Sequence, residues 1–187
     1  DFLKELITTP FASENLATAS KIIDVLRIQG WNISSESEFE GFEKYNELTN
    51  LYGRWHFIPP SENESSILMD CAHNIDGMNL LMTSMLSEFP NKIFHIVYGT
   101  VSDKDPSKIL SLIPNNAVMY WCEADVPRSM DVETLKKIGL DNGLSGKSYT
   151  SVKDAVSDAR KSCFSNDDSK AIVCGSVYVV GDALKGI

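Results

Sequence analysis

The chain has 187 residues, 43% of them hydrophobic and 23% charged, a balance that suits a globular fold of one domain plus an appendage. Its formal net charge of −9 excludes nucleic acid as an expected partner, because binding a phosphate backbone needs a basic face. No apolar run approaches the roughly 20 residues of a membrane-spanning helix, so no membrane partner is expected. Cys71, Cys122, Cys163 and Cys174 lack any Cys-x-x-Cys spacing and predict free thiols, no metal site and a reducing, cytoplasmic home. The chain starts at Asp1 without a methionine or a signal-peptide pattern and reads as a fragment.

Residues 13–29 place Leu16, Ala19, Ile22, Ile23, Leu26 and Ile28 at helical spacing, with Ser13 as N-cap and Gly30 as stop. Residues 33–50 are polar and acidic without a strong period and read as a linker. Tyr52–Ile58 predicts a strand, 59–64 a turn, and Ile67–Asp70 an antiparallel return. Helices and strands then alternate. Helix is predicted over 76–88, 106–113, 131–138, 151–163 and 176–184, and strand over 92–98, 117–122, 147–149 and 170–174. This order, with near-continuous apolar strands, predicts an α/β fold. Its sheet has about six mostly parallel strands, one antiparallel, with helices on both faces. Trp55, Trp121, Met78, Met82 and Met85 read as core.

Polar residues gather where strands end. Asp70-Cys71-Ala72-His73-Asn74-Ile75-Asp76-Gly77 follows one apolar run and precedes a helix pattern, the place where ligands collect in open α/β sheets. Asp70 can accept hydrogen bonds from ribose hydroxyls or cap the next helix. Arg54, inside a strand-like run beside Gly53, offers a rigid fork for phosphate oxygens or lies on an exposed edge. His73 and Asn74 can bind a carboxylate or orient an amine, or serve only the loop. Lys104, between Asp103 and Asp105, can meet an anion or be solvated while Asp105 caps the helix opened by Pro106. Ser176, after Gly175, combines a hydroxyl with the N–H groups of a helix start, a carboxylate site or a simple N-cap. Arg54, His73, Lys104 and Arg128 are the cations available to an anionic substrate.

Asn15 at a helix start, Leu51-Tyr52-Gly53-Arg54-Trp55, the Asp70–Gly77 segment, Asp103-Lys104-Asp105 and Gly175-Ser176-Val177-Tyr178 occur in that order. The series resembles the folylpolyglutamate synthase/dihydrofolate synthase family, a branch of the Mur ligases, from about Glu14 to Leu184. The chain departs from the family pattern at Phe11-Ala12, Tyr52 and Ile75. The resemblance implies a Rossmann-like Mur ligase C-terminal domain over 51–187, preceded over 1–50 by the tail of a central ATPase domain and a linker. It implies an ATP-dependent ligase that joins L-glutamate to folate or dihydropteroate through an acyl phosphate. The acceptor and Mg2+ would be held by a missing N-terminal part, since no Gly-x-x-x-x-Gly-Lys-Ser/Thr loop occurs here. It assigns Asn15, Arg54 and Asp70 to the nucleotide, and His73, Asn74 and Ser176 to glutamate, with His73 catalytic. Asp103 and Lys104 are further candidates, and no metal ligand is expected in this chain. The fragment is expected to be monomeric and inactive by itself. Two other readings stand beside this one: another Mur-type amino-acid ligase domain, and a non-catalytic binding module of the same fold.

Overall fold

The computed structural model describes residues 12–186; residues 1–11, with the Phe11 departure from the family pattern, and Ile187 lie outside the described residues. The chain divides into two compact units between Tyr52 and Gly53. The first holds α1 (Ala12–Ile28), α2 (Ser35–Glu43) and α3 (Tyr45–Thr49). Gly30 stops α1 by taking a φ of +93°, which lets the Trp31 N–H donate to the Leu26 carbonyl at 3.0 Å. Ser13, expected to cap this helix, lies inside its first turn, because the helix already includes Ala12. The segment 33–50, read as a linker, forms α2 and α3 instead. Ser34 caps α2 by accepting from the Ser37 N–H. The link from α2 to α1 is a charge: buried Glu38 receives Arg27 at 2.8 Å and the Ser20 hydroxyl at 2.6 Å. A helix held by a cap and an ion pair writes no 3.6-residue apolar period into the sequence.

The second unit runs β1 (His56–Ile58), β2 (Ile67–Met69), α4 (Ile75–Glu88), β3 (Ile93–Tyr98), α5 (Ser107–Leu110), β4 (Val118–Cys122), α6 (Val132–Asp141), β5 (Ser145–Tyr149), α7 (Val152–Phe164), β6 (Ser169–Cys174) and α8 (Val177–Lys185). Its six strands lie in the order β1-β2-β6-β3-β4-β5. Only the β1–β2 pair is antiparallel, so the fold is the α/β class expected. The expected strand over 52–58 begins only at His56, because Gly53 and Trp55 adopt left-handed φ angles of +82° and +47° that no strand accommodates.

Alternation along the strands divides the core in two. Ile67, Met69, Val97, Tyr120, Cys122, Ala171 and Val173 face α7 and α8. The intervening Trp121 packs against Gly139 of α6, where a side chain at 139 would collide with the indole. Trp55, Met78, Met82, Met85 and Trp121 are buried as expected. The four cysteines are free thiols, and burial pushes the Cys163 thiol up to about 11. Among the described residues no helix is long and apolar enough to cross a membrane.

One buried cation fastens the β1–β2 turn to α7. Arg160, 3% exposed, donates from Nε to the Ser65 carbonyl and from Nη2 to the Pro59 carbonyl, each at 2.8 Å, and meets Glu64 at 3.1 Å. Ser157 donates to the other Glu64 oxygen at 2.8 Å. Arg160→Ala leaves Glu64 and two carbonyls without these donors, and is expected to lower the unfolding free energy by about 3–5 kcal/mol in urea titrations.

Candidate active site

The strand order creates a crevice. From β2 to β5 each crossover covers the face that carries α4, α5 and α6, and the return from β5 to β6 covers the face of α7 and α8. The chain therefore leaves β2 toward one face and leaves its neighbour β6 toward the other. Their carboxyl ends part at this point, the topological switch where open α/β sheets bind ligands.

Two loops meet there. The Gly175 N–H donates to the Ala72 carbonyl at 2.8 Å, which joins the loop after β6 to the loop after β2. Gly175 has a φ of +102°, and a Cβ there would stand 2.6 Å from the Gly99 carbonyl oxygen and 2.7 Å from the Tyr98 ring. Glycine is the residue that fits. Ser176 follows, 6% exposed, and caps α8 by accepting from the Tyr178 N–H at 3.2 Å.

On the β2 side, Asp70 is 8% exposed, and each carboxylate oxygen accepts one backbone N–H: Trp55 at 2.9 Å and Ala72 at 2.8 Å. Burial pushes its carboxyl up from the ordinary value, while the two N–H groups and the Arg54 charge pull it back. The Cys71 N–H donates to the Gly53 carbonyl at 2.8 Å, so two clasps join the Gly53–Trp55 bend to the end of β2. Arg54 lies exposed between buried Gly53 and Trp55 on this bend, not within a strand. Because β1 runs antiparallel to β2, the bend lies at the carboxyl end of β2.

His73 is exposed, and its Nδ1 lies 2.8 Å from the Cys71 carbonyl oxygen. A carbonyl only accepts, so Nδ1 carries a proton, and in that tautomer Nε2 is the ring's acceptor. Asn74 caps α4, its Oδ1 accepting from the Gly77 N–H at 2.8 Å. The N-cap is thus Asn74; Asp70, weighed for that task, clasps the loops instead.

Asp103 and Lys104 are exposed on the turn after β3. This turn is joined to the loop after β4 by the Val101–Ser129 bridge and by the Ser102 N–H donating to the Arg128 carbonyl at 2.8 Å. Arg128 pairs with Asp103 at 2.7 Å, and its charged form is favoured first by that carboxylate and then by the nearby Tyr178 in the first turn of α8. Asp103 is held below the usual carboxylate range, first by a backbone N–H and then by Arg128. Arg128, in sequence terms either a further carboxylate clamp or a surface residue, therefore ties the loop after β4 to the Asp103 turn. Asp105 accepts from the Ser107 N–H at 3.0 Å and so serves the start of α5. Asn15 is exposed in the first turn of α1, in the other unit.

Among the described residues no three His, Cys, Asp or Glu side chains converge as a metal site. Gly175→Ala would force a Cβ into the Gly99–Tyr98 contact and a left-handed φ onto alanine. It is expected to cost more than the roughly 1–3 kcal/mol of the strained backbone alone, measured by urea unfolding.

Residues 53–177 match the family described as Mur ligase, glutamate ligase domain. The probable bifunctional folylpolyglutamate synthase/dihydropteroate synthase of Haloferax volcanii is 33% identical over 121 residues, which is 64% of this chain and 14% of that protein. Escherichia coli FolC in complex with DHPP and ADP superposes with a TM-score of 0.67 at 23% identity, over 91% of this chain and 38% of that one. Folylpolyglutamate synthase from Thermotoga maritima gives 0.68 at 19% identity, over 96% and 39%. The two solved structures share the fold, and the chain spans well under half the length of each of these relatives.

Proposed function

Because the chain belongs to the Mur ligase, glutamate ligase domain family, we propose that it supplies the amino-acid side of an ATP-dependent ligase that adds L-glutamate to folate or dihydropteroate. The first unit is then the tail of the ATPase domain, with Asn15 toward adenine, and the acceptor and Mg2+ are held outside this chain. The observation that carries the reading is the 2.8 Å bond from Gly175 N–H to the Ala72 carbonyl. It sets a buried hydroxyl at a helix start beside the His73–Asn74 loop, opposite a clasped bend that displays an arginine.

In this reaction the acceptor carboxylate attacks the γ-phosphorus of ATP, ADP departs, and the glutamate amine attacks the acyl phosphate with loss of phosphate. The Arg54 guanidinium suits phosphate oxygens, and Asp70 belongs to the same nucleotide wall. Ser176 and the N–H groups opening α8 suit a glutamate carboxylate. His73, with Nδ1–H committed to Cys71, has Nε2 to take a proton from the incoming amine. Asn74 has its amide nitrogen for the glutamate while its oxygen caps α4. Asp103 and Lys104 extend the site on the β3 side. The free thiols accord with a cytoplasmic home.

The test is glutamate-dependent ADP formation by the longer polypeptide that carries this chain, with dihydropteroate and tetrahydrofolate compared as acceptors. Arg54→Ala and Asp70→Ala are expected to raise KM for ATP, and His73→Ala and Ser176→Ala that for glutamate. Each loses a hydrogen bond worth roughly ten- to hundredfold. If Ser176→Ala raised KM for ATP and left that for glutamate unchanged, the two walls would be reversed. The 187-residue chain by itself is expected to turn over no ATP.

A further inference from the structure

We propose that Asp70 is a positioning residue for Arg54: its buried carboxylate holds Trp55 in a left-handed backbone conformation and so fixes the direction in which Arg54 leaves the wall of the crevice. This inference rests on the nucleotide role proposed for Arg54.

Three observations carry it. Arg54 is flanked by two residues in the left-handed region, Gly53 at φ +82° and Trp55 at φ +47°. Glycine adopts that region freely, whereas a bulky residue there is strained and persists only when its surroundings hold it. Trp55 is held twice. Its N–H donates to Asp70 Oδ2 at 2.9 Å, and its buried ring meets Phe57 edge-on with centroids 6.2 Å apart. The second carboxylate oxygen is also engaged, accepting from the Ala72 N–H at 2.8 Å, and the residue is 8% exposed. Both oxygens are therefore committed to backbone, one of them to the residue that follows Arg54.

Gly53 is fixed independently. Its carbonyl accepts from the Cys71 N–H, and a Cβ on it would stand 2.6 Å from Val180 Cγ1 and 3.2 Å from Cys71 Sγ. With Gly53 pinned against α8 and Trp55 pinned by Asp70, the single exposed residue between them has its backbone set from both sides. A carboxylate suits this task better than an amide. Two converging N–H groups need two acceptors, and asparagine offers one oxygen and a nitrogen whose hydrogens oppose the second donor. Losing one bond releases the strain at Trp55 and lets Arg54 swing.

The test is a double-mutant cycle in the longer polypeptide, read as KM for ATP and for glutamate. Asp70→Asn is expected to raise KM for ATP about tenfold, the loss of one hydrogen bond to a charged group, with little change for glutamate. In an Arg54→Ala background, where nothing remains to aim, it is expected to add less than about twofold. Trp55→Ala, which keeps the N–H and removes the ring anchor, is expected to behave the same way. It supplies the cycle even if Asp70→Asn does not fold. Effects of Asp70→Asn or Trp55→Ala that multiply fully with that of Arg54→Ala would overturn the inference and leave Asp70 a direct nucleotide contact. If Arg54→Ala itself left KM for ATP unchanged, the failure would lie with the proposed nucleotide wall instead.

Discussion

Everything at the crevice depends on β6 lying between β2 and β3. It is the last strand in the chain, yet it pairs in parallel with both, Leu68 and Ile96 flanking Ile172 in register. Without it β2 has only β1 as a partner, and the loops carrying Asp70 and Ser176 have no reason to meet. The β2–β6 pairing joins residues about a hundred positions apart, a non-local contact that costs loop-closure entropy before it contributes. The strand compensates with a wholly apolar interior run, Ala171-Ile172-Val173-Cys174, buried on both faces. The geometry that opens the crevice is thus the geometry that completes the core.

The parts of this arrangement that bury apolar surface were legible in the sequence. β3, β4 and β6 are near-continuous hydrophobic runs, and the helices around them have caps or glycine stops, so their existence and order follow from pattern. β5 was seen only from 147 because Ser145-Gly146-Lys147-Ser148-Tyr149 is a polar edge strand. Its Gly146 is needed where any side chain would strike the Met119 carbonyl. The Gly53–Trp55 bend was illegible for another reason. A tryptophan at positive φ contradicts its own local preference, and what imposes it is a carboxylate 15 residues away. Of the candidate site, residue types and strand-end positions could be read. What could not be read was their present partners: Asn74 as a cap, Asp70 as a clasp, Arg128 as a bridge.

The two sides of the crevice are built by different physics. The β2 side is fixed by backbone hydrogen bonds and a buried carboxylate, groups that are costly to leave unpaired once removed from water. The β3–β4 side ends in the Asp103–Arg128 pair, with 57% of each side chain exposed. Water and salt screen such a pair, and its net contribution is small. An exposed guanidinium in a single-pronged contact exchanges partners readily; a carboxylate holding two backbone N–H groups does not.

That asymmetry bears on how a strongly acidic chain could receive the anionic ligands proposed for it. With a net charge of −9 the average field repels them, so attraction has to be local. Arg54, His73, Lys104 and Arg128 all lie on loops at the carboxyl end of the sheet, where the start of α8 adds its own N–H groups. For the phosphoryl transfer proposed above, rigidity would be useful, since electrostatic stabilisation depends on donors already in place. On the β3–β4 side, an exposed cation in a weak pair is free to adjust to whatever anion approaches. The fold supplies both from one sheet edge, because the chain turns to opposite faces on leaving β2 and β6.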